Sequence, residues 1–263
     1  MDKFTLSHHG AVAVVSLADP ATLNALGPTL CDQLVGVLGR LSAGEGGARA
    51  VVLTGEGRAF CSGANLGDAA AAIAVEGGEP DLQKVVERYY NPLADQLRTL
   101  DLPLVVAING VAAGIGCSFA LMGDLIVMAE DAVLVPAFRR VGLIPDGGAT
   151  WLLPRLIGRA RAMEMALLGE PLSAARALEW GLVNRCVPGA ALMDTAMALA
   201  ASLAEGPASL AMTRRLMWDG LDASWSDQLA AEARMQGAAG RTDDFKEGVA
   251  AFLSKRPPTF QGR

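Results

Sequence analysis

Through the first two thirds of the chain, apolar residues fall into short runs separated by glycine, proline and polar turns. In the last third they fall into helical stripes. Residues 10–17, 48–53, 104–108, 125–129 and 133–135 are apolar runs that predict strands, since runs of this length bounded by turn residues suit buried strands. Residues 28–41 predict a helix, because Leu30, Leu34, Val37, Leu38 and Leu41 recur on one face. Residues 81–100 and 114–122 predict two more, and a stretch of small and glycine residues fills 61–78. Strands alternating with helices indicate an α/β architecture with parallel pairing. Beyond about Pro188 the β signals stop, and residues 190–205, 209–221, 224–236 and 242–255 predict four helices. Pro207 sits near the start of the second of these, where a missing N–H costs least. In the last, Phe245, Val249 and Phe252 form an apolar stripe, read as ordinary core packing for Phe245 and Val249. Two regions result, a core over residues 1–188 and a helical part over 189–263.

Residues 102–123 carry no charge and are long enough to cross a bilayer. Pro103 opens that stretch and the turn pair Asn109-Gly110 sits inside it, so a buried strand, a loop and a buried helix are expected instead. The start of the chain reads as a strand rather than a signal peptide. Hydrophobic residues make up 52% of the 263 residues and charged residues 19%, a globular composition. The net charge of -6, with no long basic run, argues against nucleic acid as a partner. Cys31, Cys61, Cys117 and Cys186 are far apart and form no C-x-x-C pair, so reduced thiols in a cytoplasmic protein are expected.

The histidines restrict the chemistry further. Only His8 and His9 exist, on an expected edge strand, so a serine–histidine–aspartate triad or a histidine-rich zinc site would have to use one of these two. Carboxylates and backbone groups are left to act. Three segments can supply them. Arg58-Ala-Phe-Cys-Ser-Gly-Ala-Asn-Leu66 follows a strand, and its Gly63 permits close approach of another group. Leu104-Val-Val-Ala-Ile-Asn-Gly-Val-Ala-Ala-Gly-Ile-Gly-Cys-Ser118 is a strand feeding a glycine loop that opens a helix, whose first N–H groups lack internal partners and attract negative charge. That pattern suits either an oxyanion hole or a dinucleotide site of the short-chain dehydrogenase kind. The latter belongs near the N-terminus and needs a Tyr-x-x-x-Lys pair, whereas the residues four after Tyr89 and Tyr90 are Leu93 and Ala94. The third segment, Phe138-Arg-Arg-Val-Gly-Leu-Ile-Pro-Asp-Gly-Gly-Ala-Thr150, places Asp146 in a turn, where an aspartate serves either local hydrogen bonding or chemistry.

Together with Asp19-Pro-Ala-Thr-Leu-Asn-Ala-Leu26, Ala177-Leu-Glu-Trp-Gly-Leu-Val-Asn184 and Phe252-Leu-Ser-Lys-Arg256, these segments resemble the crotonase (enoyl-CoA hydratase/isomerase) family, in order and spacing, over nearly the whole chain. The resemblance implies a spiral of repeated ββα units with a helical C-terminal trimerisation part, assembled as a trimer or a dimer of trimers. It implies an acyl-CoA thioester substrate, with coenzyme A part of the substrate and no metal or other cofactor. It implies an oxyanion hole made by the N–H groups of Ala64 and Ile115. Substrate contacts would fall to Leu23, Arg58, Ser62, Gly63, Asn65, Leu66, Gly114, Gly116 and Phe138, with Phe252 and Lys255 reaching the CoA site of an adjacent subunit. Residues 69–93 would line or cover the acyl pocket. Hydratases of the family hold water between two glutamates, and here Ser118 and Phe138 stand at those positions. A subset without both glutamates, including ring-1,2-epoxyphenylacetyl-CoA isomerases, uses an aspartate at the Pro-Asp-Gly-Gly position, and this chain resembles it most. Three functions follow as expectations: an isomerase using Asp146, a hydratase with atypical water activation, or an acyl-CoA binder without catalysis.

Overall fold

The computed structural model describes residues 3–65, 67 and 81–263; Leu66 and part of the 69–93 segment lie outside the described residues. Each strand pair in the middle of the chain is divided between two sheets. β3 (Ala50–Gly55), β5 (Leu104–Ile108) and β7 (Leu125–Ala129) lie parallel in one sheet. The short strands that follow each of them lie parallel in the other: β4 (Ala59–Cys61), β6 (Val111–Ala113) and β8 (Val133–Val135). Successive units therefore advance by one strand in both sheets, the spiral of ββα units expected above. β2 (Val12–Leu17) pairs parallel with β3, and β1 (Phe4–His9) pairs antiparallel with β2 at the sheet edge, carrying both histidines. β10 (Arg185–Val187) closes the far edge beside β7, and β9 (Leu172–Ser173) pairs antiparallel with β8. All of β5 is buried, as its unbroken Leu-Val-Val-Ala-Ile run requires of a central parallel strand covered on both faces.

α1 (Pro28–Ser42) buries the predicted stripe of Leu30, Leu34, Val37, Leu38 and Leu41. The helix predicted over 81–100 is instead three pieces: α2 (Leu82–Val85), one π turn (Val86–Tyr90) and α3 (Asn91–Thr99). In the widened turn the Asn91 N–H bonds the Val86 carbonyl five residues back, and Pro92, with no N–H to give, follows at once. α4 (Ile115–Ala120) is short and wholly buried. The apolar 102–123 stretch is thus β5, β6 and α4, and no helix among the described residues is long and apolar enough to cross a membrane. α5 (Ala149–Leu168) is broken at Gly158, whose φ of 74 is not helical, and α6 (Ala174–Trp180) follows.

The four C-terminal helices form where expected: α7 (Leu192–Ala204), α8 (Ser209–Gly220), α9 (Trp225–Ala239) and α10 (Asp243–Leu253). Ala196, Ala200 and Ala204, one above another on α7, let that helix pack closely on β2, β3, β5 and β7. Ser224 and Thr242 cap α9 and α10, each accepting from an N–H three residues on. Arg214 fastens α8 to the core. It donates to the carbonyls of Leu97 and Leu100, both 2.6 Å, and of Arg98, 2.8 Å, and to Asp124 at 2.7 Å. The carbonyls left open at the end of α3 are thereby satisfied. One expectation fails here. Phe245 and Val249 are 52% and 43% exposed: the α10 stripe faces outward, because the chain's own core is already closed by α7.

Candidate active site

Three backbone turns build one cavity. The first continues from β4. Ser62 N–H donates to the Leu23 carbonyl (2.9 Å), Leu26 N–H to the Gly63 carbonyl (2.8 Å), and Asn65 N–H to the Leu26 carbonyl (2.9 Å). Leu26 and Ala64 therefore form a single parallel bridge. In such a bridge the residue flanked by both hydrogen bonds turns its own N–H to the opposite side. The Ala64 N–H accordingly has no acceptor among the described residues. Leu23 and Asn24 both take φ of 59 to bring this strand past the loop. Asn24 suits the left-handed region, and its buried amide is fully engaged: it accepts from Asp19 N–H (2.9 Å) and donates to the carbonyls of Glu56 (3.0 Å) and Ala59 (2.8 Å).

The second turn follows β6. Gly114, at φ 52 and ψ -128, occupies a conformation reserved for glycine and starts α4, so that Ile115 presents the first helical N–H, again without an acceptor among the described residues. Gly63 makes the junction between the two turns possible: a Cβ there would stand 2.8 Å from the Ala113 carbonyl oxygen. Ala64 and Ile115, each next to one of these glycines, line the same cavity.

The third turn is Pro145-Asp146-Gly147-Gly148, ahead of α5. Gly147 has φ 58, and a Cβ there would lie 2.9 Å from Ile115 Cγ1, 3.1 Å from Phe119 and 3.2 Å from Ser118 Cβ. The missing side chain lets the aspartate turn rest directly on α4, against the Ile115 side chain. Asp146 Oδ1 is buried with no hydrogen-bond partner among the described residues. Burial pushes its carboxyl up to about 6, opposed by its own backbone N–H.

The cavity holds about 530 Å³, the size range of small-molecule sites. Of the residues singled out from sequence, Ser62, Gly63, Ala64, Gly114, Ile115, Phe138 and Asp146 line it together. Val85, Val86 and Tyr90, from the segment expected at the acyl pocket, form another wall. Phe138 is buried, whereas Ile144, at 80% exposed, stands at an apolar rim with Val141 and Leu143. Glu87 also lines the cavity, but at an exposed position where Gln83 donates to it at 2.7 Å.

Leu23, Arg58, Asn65, Gly116, Phe252 and Lys255 do not line the cavity. Leu23 and Asn65 act on it through their backbone bonds to Ser62 and Leu26. Gly116 instead packs on Cys61, whose sulfur a Cβ would meet at 2.7 Å. Arg58 and Lys255 are exposed, and Phe252 lies on a separate groove with Phe245, Val249 and Phe260. Ser118 is buried in α4, with its Oγ unpartnered among the described residues and outside the cavity wall. Cys31, Cys61 and Cys117 are free thiols, pushed up to about 12 by burial and so held as inert thiols. No group of histidine, cysteine, aspartate and glutamate side chains among the described residues is arranged to hold a metal ion. Asn24 and Gly147 are structural supports that the residue patterns did not single out; the signal for each was its place within a quoted segment.

Two mainly parallel sheets wound as a spiral, with paired glycine turns beside one apolar cavity, define an enzyme of the crotonase fold. Residues 7–263 match the model of the enoyl-CoA hydratase/isomerase family. The chain is 45% identical to a probable enoyl-CoA hydratase of Rhodobacter capsulatus, over 96% of this chain and 95% of that one. It is 43% identical to the 1,2-epoxyphenylacetyl-CoA isomerase of Escherichia coli, over the full length of both. The crystal structure of an enoyl-CoA hydratase from Bacillus anthracis superposes with a TM-score of 0.92 at 30% identity, covering all of both chains. The chain belongs to the enoyl-CoA hydratase/isomerase family, whose members act on acyl-CoA thioesters.

Proposed function

We propose that the chain is an acyl-CoA isomerase in which Asp146 moves a proton along the acyl group while the Ala64 and Ile115 amides hold the thioester oxygen. The Asp146 carboxylate takes a proton from a carbon next to the double bond. The electron pair spreads to the thioester oxygen, where two N–H groups without other acceptors among the described residues stabilise the enolate. The same carboxyl then returns the proton to a different carbon, so the double bond migrates and no atom is gained or lost. This internal transfer uses no redox partner, and coenzyme A takes part only as a portion of the substrate. The observation that carries the reading is the buried Oδ1 of Asp146, unpartnered among the described residues, in a cavity also lined by Ala64 and Ile115.

Hydration is the second reading, favoured by the name of the Rhodobacter relative. It needs a second group to activate water, and the other carboxylate on the wall among the described residues, Glu87, is exposed at the edge and already engaged by Gln83. An assay of double-bond migration against hydration over a panel of enoyl-CoA thioesters separates the two. Asp146→Asn is expected to lower isomerase turnover by about a hundredfold or more, the usual contribution of a positioned acid–base group, with thioester binding retained. Ser118→Ala is expected to cost far less. Full activity in Asp146→Asn, with loss in Ser118→Ala, would overturn the assignment. We also propose self-association into a trimer or dimer of trimers through the helical C-terminal part, supported by the outward-facing Phe245, Val249 and Phe252.

A further inference from the structure

Tyr90 reaches the Ala64 peptide through a single intermediate residue. Its hydroxyl donates to the Leu26 carbonyl at 3.3 Å. That carbonyl also accepts from Asn65 N–H, and Leu26 N–H in turn holds the Gly63 carbonyl. Gly63 and Asn65 are the two neighbours of Ala64, so Leu26 fixes the peptide planes on both sides of it. Tyr90 closes the π turn, where the backbone widens before Pro92, and its ring forms part of the cavity wall while only 4% exposed. Burial, with Cys31, Asp146 and Cys61 adding to it, raises the phenol well above its usual range, so the hydroxyl stays a donor at any working pH. A phenylalanine would fill the same space. The hydroxyl is therefore surplus to packing, and what it adds is the tie to Leu26.

We infer that Tyr90 is a positioning residue: through the Leu26 carbonyl it aims the Ala64 N–H into the cavity. The inference rests on the reading of the Ala64 and Ile115 amides as the thioester-oxygen site. Removing the tie leaves the Leu26 carbonyl with one hydrogen bond instead of two and lets the Ala64 peptide tilt. The amide then remains present but is misdirected, which weakens its hold on a developing negative charge more than its hold on a neutral thioester.

The test uses Tyr90→Phe, which keeps the ring and leaves no buried acceptor unpaired, because Leu26 retains Asn65. The probe is 2,4-hexadienoyl-CoA, whose conjugated absorption moves to the red when its thioester carbonyl is polarised. Wild-type protein is expected to red-shift the bound probe, and Asp146→Asn is expected to do the same. Tyr90→Phe is expected to lose at least half of the shift while its probe Kd changes by less than about threefold, and its isomerase kcat is expected to fall about tenfold with KM nearly unchanged, as misalignment of a catalytic group does. A shift in Tyr90→Phe equal to wild type overturns this inference alone. A wild-type protein that leaves the probe spectrum unshifted overturns the amide-pair reading and the inference with it.

Discussion

Burial pushes the Asp146 carboxyl up to about 6, above the range of an ordinary aspartate. Under the proposed mechanism only the ionised form takes a proton, so kcat/KM for isomerisation is expected to rise with pH through about 6 and level off above it; a pH–rate profile flat from 5 to 8 would contradict this. The same shift acts on stability with the opposite sense. The folded state holds its proton more tightly than the unfolded chain, so wild-type stability declines as pH rises from about 4 to about 6 and stays lower beyond. At about 1.4 kcal/mol per unit, and discounted because the side chain is partly exposed, the loss is about 1–2 kcal/mol. Asp146→Asn is expected to melt higher than wild type at pH 8 and equally at pH 4, while turning over far less. A variant that melts no higher at pH 8 would show that burial of the charge costs nothing.

The turn that carries Asp146 depends on two adjacent glycines that serve different ends. Both have positive φ, 58 at Gly147 and 84 at Gly148, but a Cβ on Gly148 would meet nothing within 4 Å. Gly148→Ala therefore suffers conformational strain alone, about 1 kcal/mol. Gly147→Ala adds a collision with Ile115, Ser118 and Phe119, and about 1–3 kcal/mol more is expected from overpacking. Chemical denaturation should rank the two clearly. Turnover should follow the same order, because relief of the clash lifts the aspartate turn off α4 and away from Ile115. Equal stability for the two variants would show that the turn does not rest on the helix as described.

Over the whole molecule, the helical part presents a groove of about 400 Å³ between α9, α10 and the final residues, lined by Phe245, Val249, Phe252 and Phe260. Phe252 is 83% exposed. An exposed apolar patch of this kind marks a site of association. Light scattering at micromolar concentration is expected to give three or six times the chain mass, and Phe252→Asp to shift the distribution toward smaller species. A monomer mass for the wild-type chain would refute the proposed assembly.

The linear pattern determined the elements whose burial is continuous or periodic. β5 and the stripe of α1 could be read directly, because a central parallel strand must be apolar throughout and an amphipathic helix must repeat its apolar face. β4, β6 and the two-piece α5 were not legible in that way. Three-residue strands such as Ala59–Cys61 and Val111–Ala113 have no period to detect, and Pro154 and Gly158 mask the helix around them. The glycine turns and Asp146 were visible as local chemistry, yet their meeting was not, since Gly63 touches Ala113 and Gly147 touches Ile115 across gaps of 50 and 32 residues. Arg58 was a plausible contact for an anion by charge alone, and the fold leaves it outside the cavity wall. Tyr90 was placed near the pocket by its position in the chain, but its bond to Leu26 depends on a π turn that no residue pattern announces. Residue type and spacing determine what a segment can do locally. Which N–H groups are left without acceptors, and which carboxylate loses its water, is decided only when distant backbones close on one another and exclude solvent.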